Sequence, residues 1–432
     1  MLLRSGTEVD LGMLGSASVV RELGRGGQGY VYAVDREGRP LALKWYKPHC
    51  ATLEQREALE RLVDLGAPHP RFLWPLSLGH VPGQPGFGYV MPLKEQRFVE
   101  MGYLISGKLP TGEPLDTSFA VLISVCRLLA DSFLRLHSRG LCYRDISFGN
   151  VAFDPATGDI RICDNDNVDI DDGSGRVLGT PFFMAPELVR DTSFRTLPNS
   201  DSDRHSLAVL LFYALCMGHP LEGQRTEAGL RDSGWLRRHF GAEPLFAFHP
   251  SDGSNRPTSS LVRAYWNLYP AFLRDAFTQA FTEGLEDPAA RVTESEWIKL
   301  LGRLRDAMVQ CSSCQATNFL DEDRATQACA RCHRDMTRPL ILHLGRRRLA
   351  VSAFTRIRST DAPSSEDEVQ DHARVRRHPS DPRRWGLENL TGVRWVGTLP
   401  DGNRFDIDTA QTVELIPGLR LELPSVVVTV GH

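Results

Sequence analysis

The stretch YRDISFGNVAFD, residues 143–154, decides how the rest of the chain is read. It sets a carboxylate, Asp145, four intervening residues ahead of a carboxamide, Asn150, and then runs into apolar sequence. A phosphoryl-transfer site has a use for that pair: the carboxylate beside an attacking hydroxyl, the carboxamide on a metal ion. A turn between two buried segments would use the same residues. The flanking segments have to separate the two readings.

Upstream, ELGRGGQGYVY (22–32) holds Gly24, Gly26 and Gly29 in GxGxxG spacing, with Gly27 among them and Val31 after. Glycine has no Cβ, so backbone N–H groups can approach phosphates closely. The cluster lies between strand-like segments rather than opening a helix, which disfavours a dinucleotide-binding turn. Fifteen residues after Gly29, LALKWY (41–46) sets Lys44 among apolar strand residues. A lysine there is unusual unless its charge is paired. It is either a phosphate clamp held by a helix carboxylate or a side chain snorkelling from an edge strand. The helical pattern TLEQREALERLVDL (52–65) offers Glu57 and Glu60 as that carboxylate. The spacing favours Glu60, and the helical face leaves both open. Downstream, RICDNDNV (161–168) places Asp164 fourteen residues after Asn150, behind a short strand. Two oxygen ligands on adjacent hairpin arms suit Mg²⁺. GTPFFMAPEL (179–188) follows.

Taken in order, GxGxxGxV, strand lysine, RDxxxxN, metal-site Asp and APE resemble the eukaryotic-type (Hanks-type) Ser/Thr protein kinases of bacteria, over residues 17–305. The resemblance implies an α+β, bilobal kinase domain over 1–305, with an N-lobe to about residue 93 and a C-lobe from about 94. It implies ATP and Mg²⁺ (or Mn²⁺) as cofactors and protein hydroxyls as acceptors. Asp145 would act as catalytic base, and Asn150 and Asp164 would hold the metal. Lys44 would bind the α and β phosphates, beneath a loop of Gly24, Gly26, Gly27, Gly29 and Val31. The strand GYVMPLK (88–94) resembles the adenine hinge, at Met91. Asp203, in SDSDRHSLAVLLFYAL (200–215), would hold the catalytic-loop backbone, and Arg291, in DPAARVT (287–293), would pair with Glu187.

The chain departs from that family in several places. Tyr143 stands for the usual His, and Ser147 for the Lys common two residues after the catalytic Asp. Asp164, Asn165 and Asp166 stand for Asp-Phe-Gly, which keeps the metal Asp but loses the packing Phe and the flexing Gly. Thr180 matches the Ser/Thr kinases. Arg144 is placed to bind an activating phosphate, yet the only hydroxyls between Asp164 and Glu187 are Ser174 and Thr180. We therefore expect Asp169, Asp171 or Asp172 to replace the phosphate.

Of nine cysteines, Cys311 and Cys314 are separated by fourteen residues from Cys329 and Cys332. Two CxxC knuckles supply four thiolates for a closed tetrahedral zinc site, a ribbon over 308–337. CARCH (329–333) also fits the c-type haem attachment pattern, but that leaves the first CxxC unexplained. Residues 338–432 read as short strands, a small all-β, sandwich-like module whose later strands resemble those of forkhead-associated domains. Residues 359–384 read as a long loop, ending in the basic run RVRRHPSDPRR, which is a solvated face or a docking patch. Kinase, ribbon and β-module in this order resemble kinases of tellurite-resistance-associated phosphorylation systems. That resemblance implies a PP2C-type phosphatase and a von Willebrand A-type protein as partners.

The bulk numbers set the outer bounds. The chain has 432 residues, 41% hydrophobic and 24% charged, with a net charge of −4, which gives no global argument for nucleic acid or an anionic membrane. The most apolar stretch, SLAVLLFYALCMG (206–218), is too short to span a bilayer. No leader-like start is visible, and the five scattered cysteines suit a reducing cytoplasm. Three other readings compete with an active protein kinase. The first is a pseudokinase, a nucleotide-binding scaffold acting through ribbon and β-module. The second is a small-molecule phosphotransferase, and the third a nucleic-acid-binding ribbon.

Overall fold

The computed structural model describes the chain apart from residues 1, 171–178, 194, 322, 323, 325, 359–370, 382 and 425. Asp171, Asp172 and Ser174 therefore lie outside the described residues. Two compact units emerge: residues 1–259 with 277–298, and residues 260–276 with 299–432. The division falls within the helices Ala271–Ala280 and Glu294–Asp306.

The first unit begins with an antiparallel sheet. Its strands are β1 (Glu8–Asp10), β2 (Ser16–Arg25), β3 (Gly29–Arg36), β4 (Arg39–Tyr46), β5 (Ser77–Gly79) and β6 (Gly88–Pro92), in the order β1-β2-β3-β4-β6-β5. Strand β4 lies between β3 and β6 and is buried on both faces from Ala42 to Tyr46, as a central strand with an almost unbroken apolar run should be. The two-residue period sends Leu43 and Trp45 into one core with Val9, Val19 and Val34. It sends Ala42 and Tyr46 into another with Leu59, Tyr89 and Met91. Lys44 shares that second face. Helix α1 (Leu53–Leu65) packs on it; Thr52 caps its start by accepting from the Gln55 N–H at 3.2 Å. Gly66, at φ +67, ends it.

The helix Phe119–His137 buries one face, and the helix Ser200–Cys216 is buried almost throughout, as its apolar sequence predicts. Between them runs the hairpin Val151–Phe153 with Ile160–Ile162, which places Asn150 and Asp164 just beyond adjacent arms. His137 bridges these elements. Its Nε2 meets Asp203 at 3.1 Å and its Nδ1 meets Glu294 at 2.8 Å, with the side chain 6% exposed. Burial opposes the charge on this imidazole, but the two carboxylates outweigh it and lift its pKa to about 9.

In the second unit, Met308–Gln310 pairs with Thr317–Phe319 around the first CxxC. After it come two antiparallel sheets, one with six strands and one with four, which share a single core around Leu342, Ile357, Leu387, Trp395 and Val428. One expectation is corrected. Residues 359–384 are not one long loop, because Asp371–Arg377 is a strand paired on both sides. Ala373 and Val375 point inward and Arg374 and Arg376 outward, an alternation that the basic composition conceals. Arg374 and Arg376 meet Glu388 at 2.5 and 2.7 Å, and Arg384 meets Glu414 at 2.6 Å. The hydrogen bonds from Arg374 and then Arg376 hold the Glu388 carboxyl down at about 2. Three of the run's five arginines are thus held by two carboxylates of the same β-module. Among the described residues, no helix is long and apolar enough to cross a membrane.

The His137 cluster yields a prediction. The folded pKa of about 9 exceeds the ordinary 6.5, so its stabilisation is complete below pH 6.5 and is lost as pH rises through 9. Urea unfolding at both ends of that window should show wild type losing about 3 kcal/mol more than His137→Gln. Equal losses would contradict the cluster.

Candidate active site and thiolate cluster

The β2–β3 turn is closed by the Gly26 N–H donating to the Gly29 carbonyl at 2.9 Å. Gly29 is required by packing, since a Cβ there would sit 2.5 Å from the Trp45 carbonyl oxygen. Among the described residues, nothing lies within 4 Å of a Cβ at Gly24 or Gly27, which leaves that part of the turn room for a ligand. Val31 stands opposite Lys44, and Met91 opposite Ala42. Val31, Ala42, Met91, Leu93 and Cys163 belong to one apolar cluster, a greasy floor beside the glycine turn. Ala42 was not singled out from the sequence, although LALK carries the same A-x-K spacing as the kinase strand.

Lys44 is 5% exposed. Its Nζ donates to Asp164 Oδ1 at 2.5 Å, to both oxygens of Asp166 at 2.9 Å, and to Gln28 Oε1 at 2.8 Å. The expected helix glutamates are not among its partners. Glu57 is exposed and Glu60 forms an exposed pair with Arg56 at 3.0 Å. The buried stripe of α1 is marked by Leu59 and Leu62, and one turn earlier it presents Gln55. The Gln55 amide donates to the Tyr46 hydroxyl and to the Asp166 carbonyl, each at 3.2 Å. Asp166 is buried and also accepts from Tyr46 and, at 3.2 Å, from Tyr89. Sequence reasoning missed Asp166, Gln55 and both tyrosines.

Burial resists the charge on Asp166, but Lys44 and Tyr46 prevail and hold its pKa below the ordinary value. Asp164 is pushed the other way, by burial first and then by Asp166. Asp164 adopts φ +54, a left-handed conformation that Asp tolerates better than most residues. Asn165 is fully buried and donates to the carbonyls of Leu73 and Ile162, each at 2.9 Å. A polar anchor to two backbone carbonyls thus occupies the place of the packing Phe.

On the other side of the site, Asn150 Nδ2 donates to the Asp145 backbone carbonyl at 2.8 Å and to its Oδ2 at 3.0 Å. Thr180 donates to Asp145 Oδ1 at 2.6 Å. Asp203 accepts from the N–H groups of Tyr143 and Arg144 at 2.5 and 2.8 Å. Those bonds hold Arg144 at φ +72. The Tyr143 hydroxyl donates to the Cys163 carbonyl, tying this loop to the strand before Asp164. Arg144 Nη1 meets Asp169 at 3.1 Å. Arg291 grips Glu187 through two parallel bonds of 2.9 and 2.8 Å.

Residues 117–267 match the protein kinase domain family. Over this stretch the chain is similar to protein kinase domains. The match holds Asp145, Asn150, Asp164, Glu187 and Asp203; the glycine turn and Lys44 precede it. The chain is similar to the DNA damage-responsive serine/threonine-protein kinase RqkA of Deinococcus radiodurans, 28% identical over 232 residues, covering 50% of this chain and 32% of that protein. It is similar to protein kinase YegI of Escherichia coli O157:H7, 26% identical over 302 residues, covering 68% and 45%. It is also similar to the dual serine/threonine and tyrosine protein kinase of Gallus gallus, 29% identical over 292 residues, covering 60% and 29%. The chain therefore spans less than half the length of these curated relatives.

In the second unit, the Sγ atoms of Cys311, Cys314, Cys329 and Cys332 all lie within 4.8 Å of one another. The pairs Cys311–Cys332 and Cys314–Cys329 are 3.7 and 3.6 Å apart. Tetrahedral zinc with Zn–S bonds of about 2.3 Å requires sulfurs about 3.8 Å apart. The donor set and spacing fit that ion. Burial disfavours the Cys329 thiolate, but the N–H groups of Cys332 and Arg331 and the Asn318 amide bring its pKa to about 6. Purified protein should contain about one zinc per chain by atomic absorption, and Cys329→Ser should lower that sharply. Zinc-free wild type with intact ribbon strands would contradict the assignment.

Proposed function

We propose that this chain is an ATP-dependent serine/threonine protein kinase. The observation that carries the reading is the convergence of Lys44, Asp164 and the Asp145–Asn150 loop, from three segments, beside the glycine turn. Asp145, held by Asn150 and Thr180, is placed to orient an acceptor hydroxyl and take its proton. Asn150 and Asp164 are the oxygen ligands for Mg²⁺ or Mn²⁺, and Lys44 is the cation for the α and β phosphates of ATP. Bound metal would neutralise charge that develops on the phosphoryl group. Gly24, Gly26, Gly27 and Gly29 give the backbone its close approach, and Val31 and Met91 flank the adenine side. Thr180 on Asp145 favours serine and threonine acceptors over tyrosine.

Arg144 on Asp169 supports an activation segment held without phosphorylation. The four cysteines act as a structural zinc ribbon. The divisions near residues 305 and 337, the forkhead-associated likeness of the β-module and a stress role belong to this same proposal. The phosphatase and von Willebrand A-type partners rest on the domain order alone. The competing scaffold reading draws on Asn165 and Asp166 replacing Phe and Gly.

Phosphate transfer from γ-labelled ATP to a basic acceptor protein tests the proposal. Asp145→Asn should lower the rate by about 10²–10⁴-fold while nucleotide binding persists. Absence of transfer by wild type that binds nucleotide would replace the kinase with the scaffold. Asp169→Asn should lower kcat more than it raises KM, because it loosens Arg144 beside Asp145. If Ser174 proves phosphorylated and Ser174→Ala is inactive, the phosphate-free segment is wrong.

A further inference from the structure

Lys44 has two carboxylate partners that differ in kind. Asp164 touches it through one oxygen, and its side chain is 36% exposed. Asp166 touches it through both oxygens, with its side chain 0% exposed. Asp166 is further fixed by the hydroxyls of Tyr46 and Tyr89. Behind it, the inward residue of α1 is Gln55, an amide that bonds to Tyr46 and to the Asp166 backbone and carries no charge for Lys44. In protein kinases generally, the strand lysine pairs with a glutamate of this helix, and moving the helix makes or breaks the pair.

We propose that Asp166 is the positioning carboxylate of Lys44, taking the part a helix glutamate plays elsewhere. This rests on the kinase reading above. Asp166 keeps Lys44 aimed at the phosphates when Asp164 turns to the metal. Because Asp166 is two residues from Asp164, the clamp and the metal ligand sit on one short segment, and α1 only backs it through Gln55. Displacement of α1 therefore does not by itself unpair Lys44. The same feature explains why the segment carries Asp where the family has Gly.

The test uses the full chain and four forms: wild type, Asp166→Ala, Asp166→Asn, and Asp166→Ala combined with Gln55→Glu. Each is read by affinity for a fluorescent ADP analogue with Mg²⁺ and by phosphate transfer. Both single variants should bind nucleotide on the order of tenfold more weakly and transfer about 100-fold more slowly. Glu at position 55 should restore at least about tenfold of the transfer, since it returns a carboxylate from the helix side. A merely structural Asp166 would not be rescued by a charge placed on α1. Single variants within about threefold of wild type, or a folded double variant no better than Asp166→Ala, overturn the proposal. Should Asp166→Ala fail to fold, the isosteric Asp166→Asn carries the same test. If wild type transfers nothing, the kinase reading fails while the nucleotide-affinity arm still judges Asp166. If wild type binds no nucleotide, both fall.

Discussion

A lysine ammonium set in the middle of a central strand must find negative charge or cost several kcal/mol in lost hydration. Lys44 is in that position, 5% exposed between β3 and β6. Its requirement draws Asp164 and Asp166 onto the sheet, and with them the whole turn after Ile162. Gln28 of the glycine turn meets the same ammonium and reaches Asn167 at 3.1 Å. Removing the buried Asp166 would leave Lys44 with one carboxylate, the partly exposed Asp164, a change of the kind that costs about 3–5 kcal/mol. Lys44 is thus both a clamp for phosphate in the proposed reaction and the charge around which the strands, α1 and the Asp164 turn assemble.

The opposite wall of the site depends on a second buried charge system. Asp203, at the start of the helix Ser200–Cys216, accepts two backbone N–H bonds from the loop that bears Asp145 and is itself held by His137. Glu294 and Arg204 complete the set, at 2.8 and 3.0 Å. Tyr143 links the two walls through the Cys163 carbonyl, a bond for which an aromatic hydroxyl in place of the family's His is suited. The loop that bears Asp145 is therefore held from behind by Asp203 and Tyr143, and loss of either shifts the position of Asp145.

The order of motifs made the kinase domain legible, because strand, turn and loop chemistry each demanded particular residues at particular spacings. In the structure Lys44 meets Asp164, Asn150 meets Asp145, Asp203 holds the Tyr143 and Arg144 backbone, and Arg291 pairs with Glu187. The partner of Lys44 was not legible. A helix pattern gives a period but not which flank faces a given strand, and Glu57 and Glu60 turn to solvent while Gln55 turns in. Asp166 read only as the loss of a glycine, since nothing in DND tells which carboxylate points at a cation 122 residues before Asp166. The strand Asp371–Arg377 was hidden for a different reason: its outward arginines look like a solvated loop until Glu388 is found across the sheet. The four cysteines needed no such context, because thiolate pairs at knuckle spacing carry their own geometry.

The most direct test of the account is a crystal structure of the chain with Mg²⁺ and a non-hydrolysable ATP analogue. It should show Asp164 on the metal, Lys44 on the phosphates, and Asp166 still bonded to Lys44 beside Tyr46 and Tyr89. A structure in which Asp166 has left Lys44 and a glutamate of α1 has taken its place would contradict it.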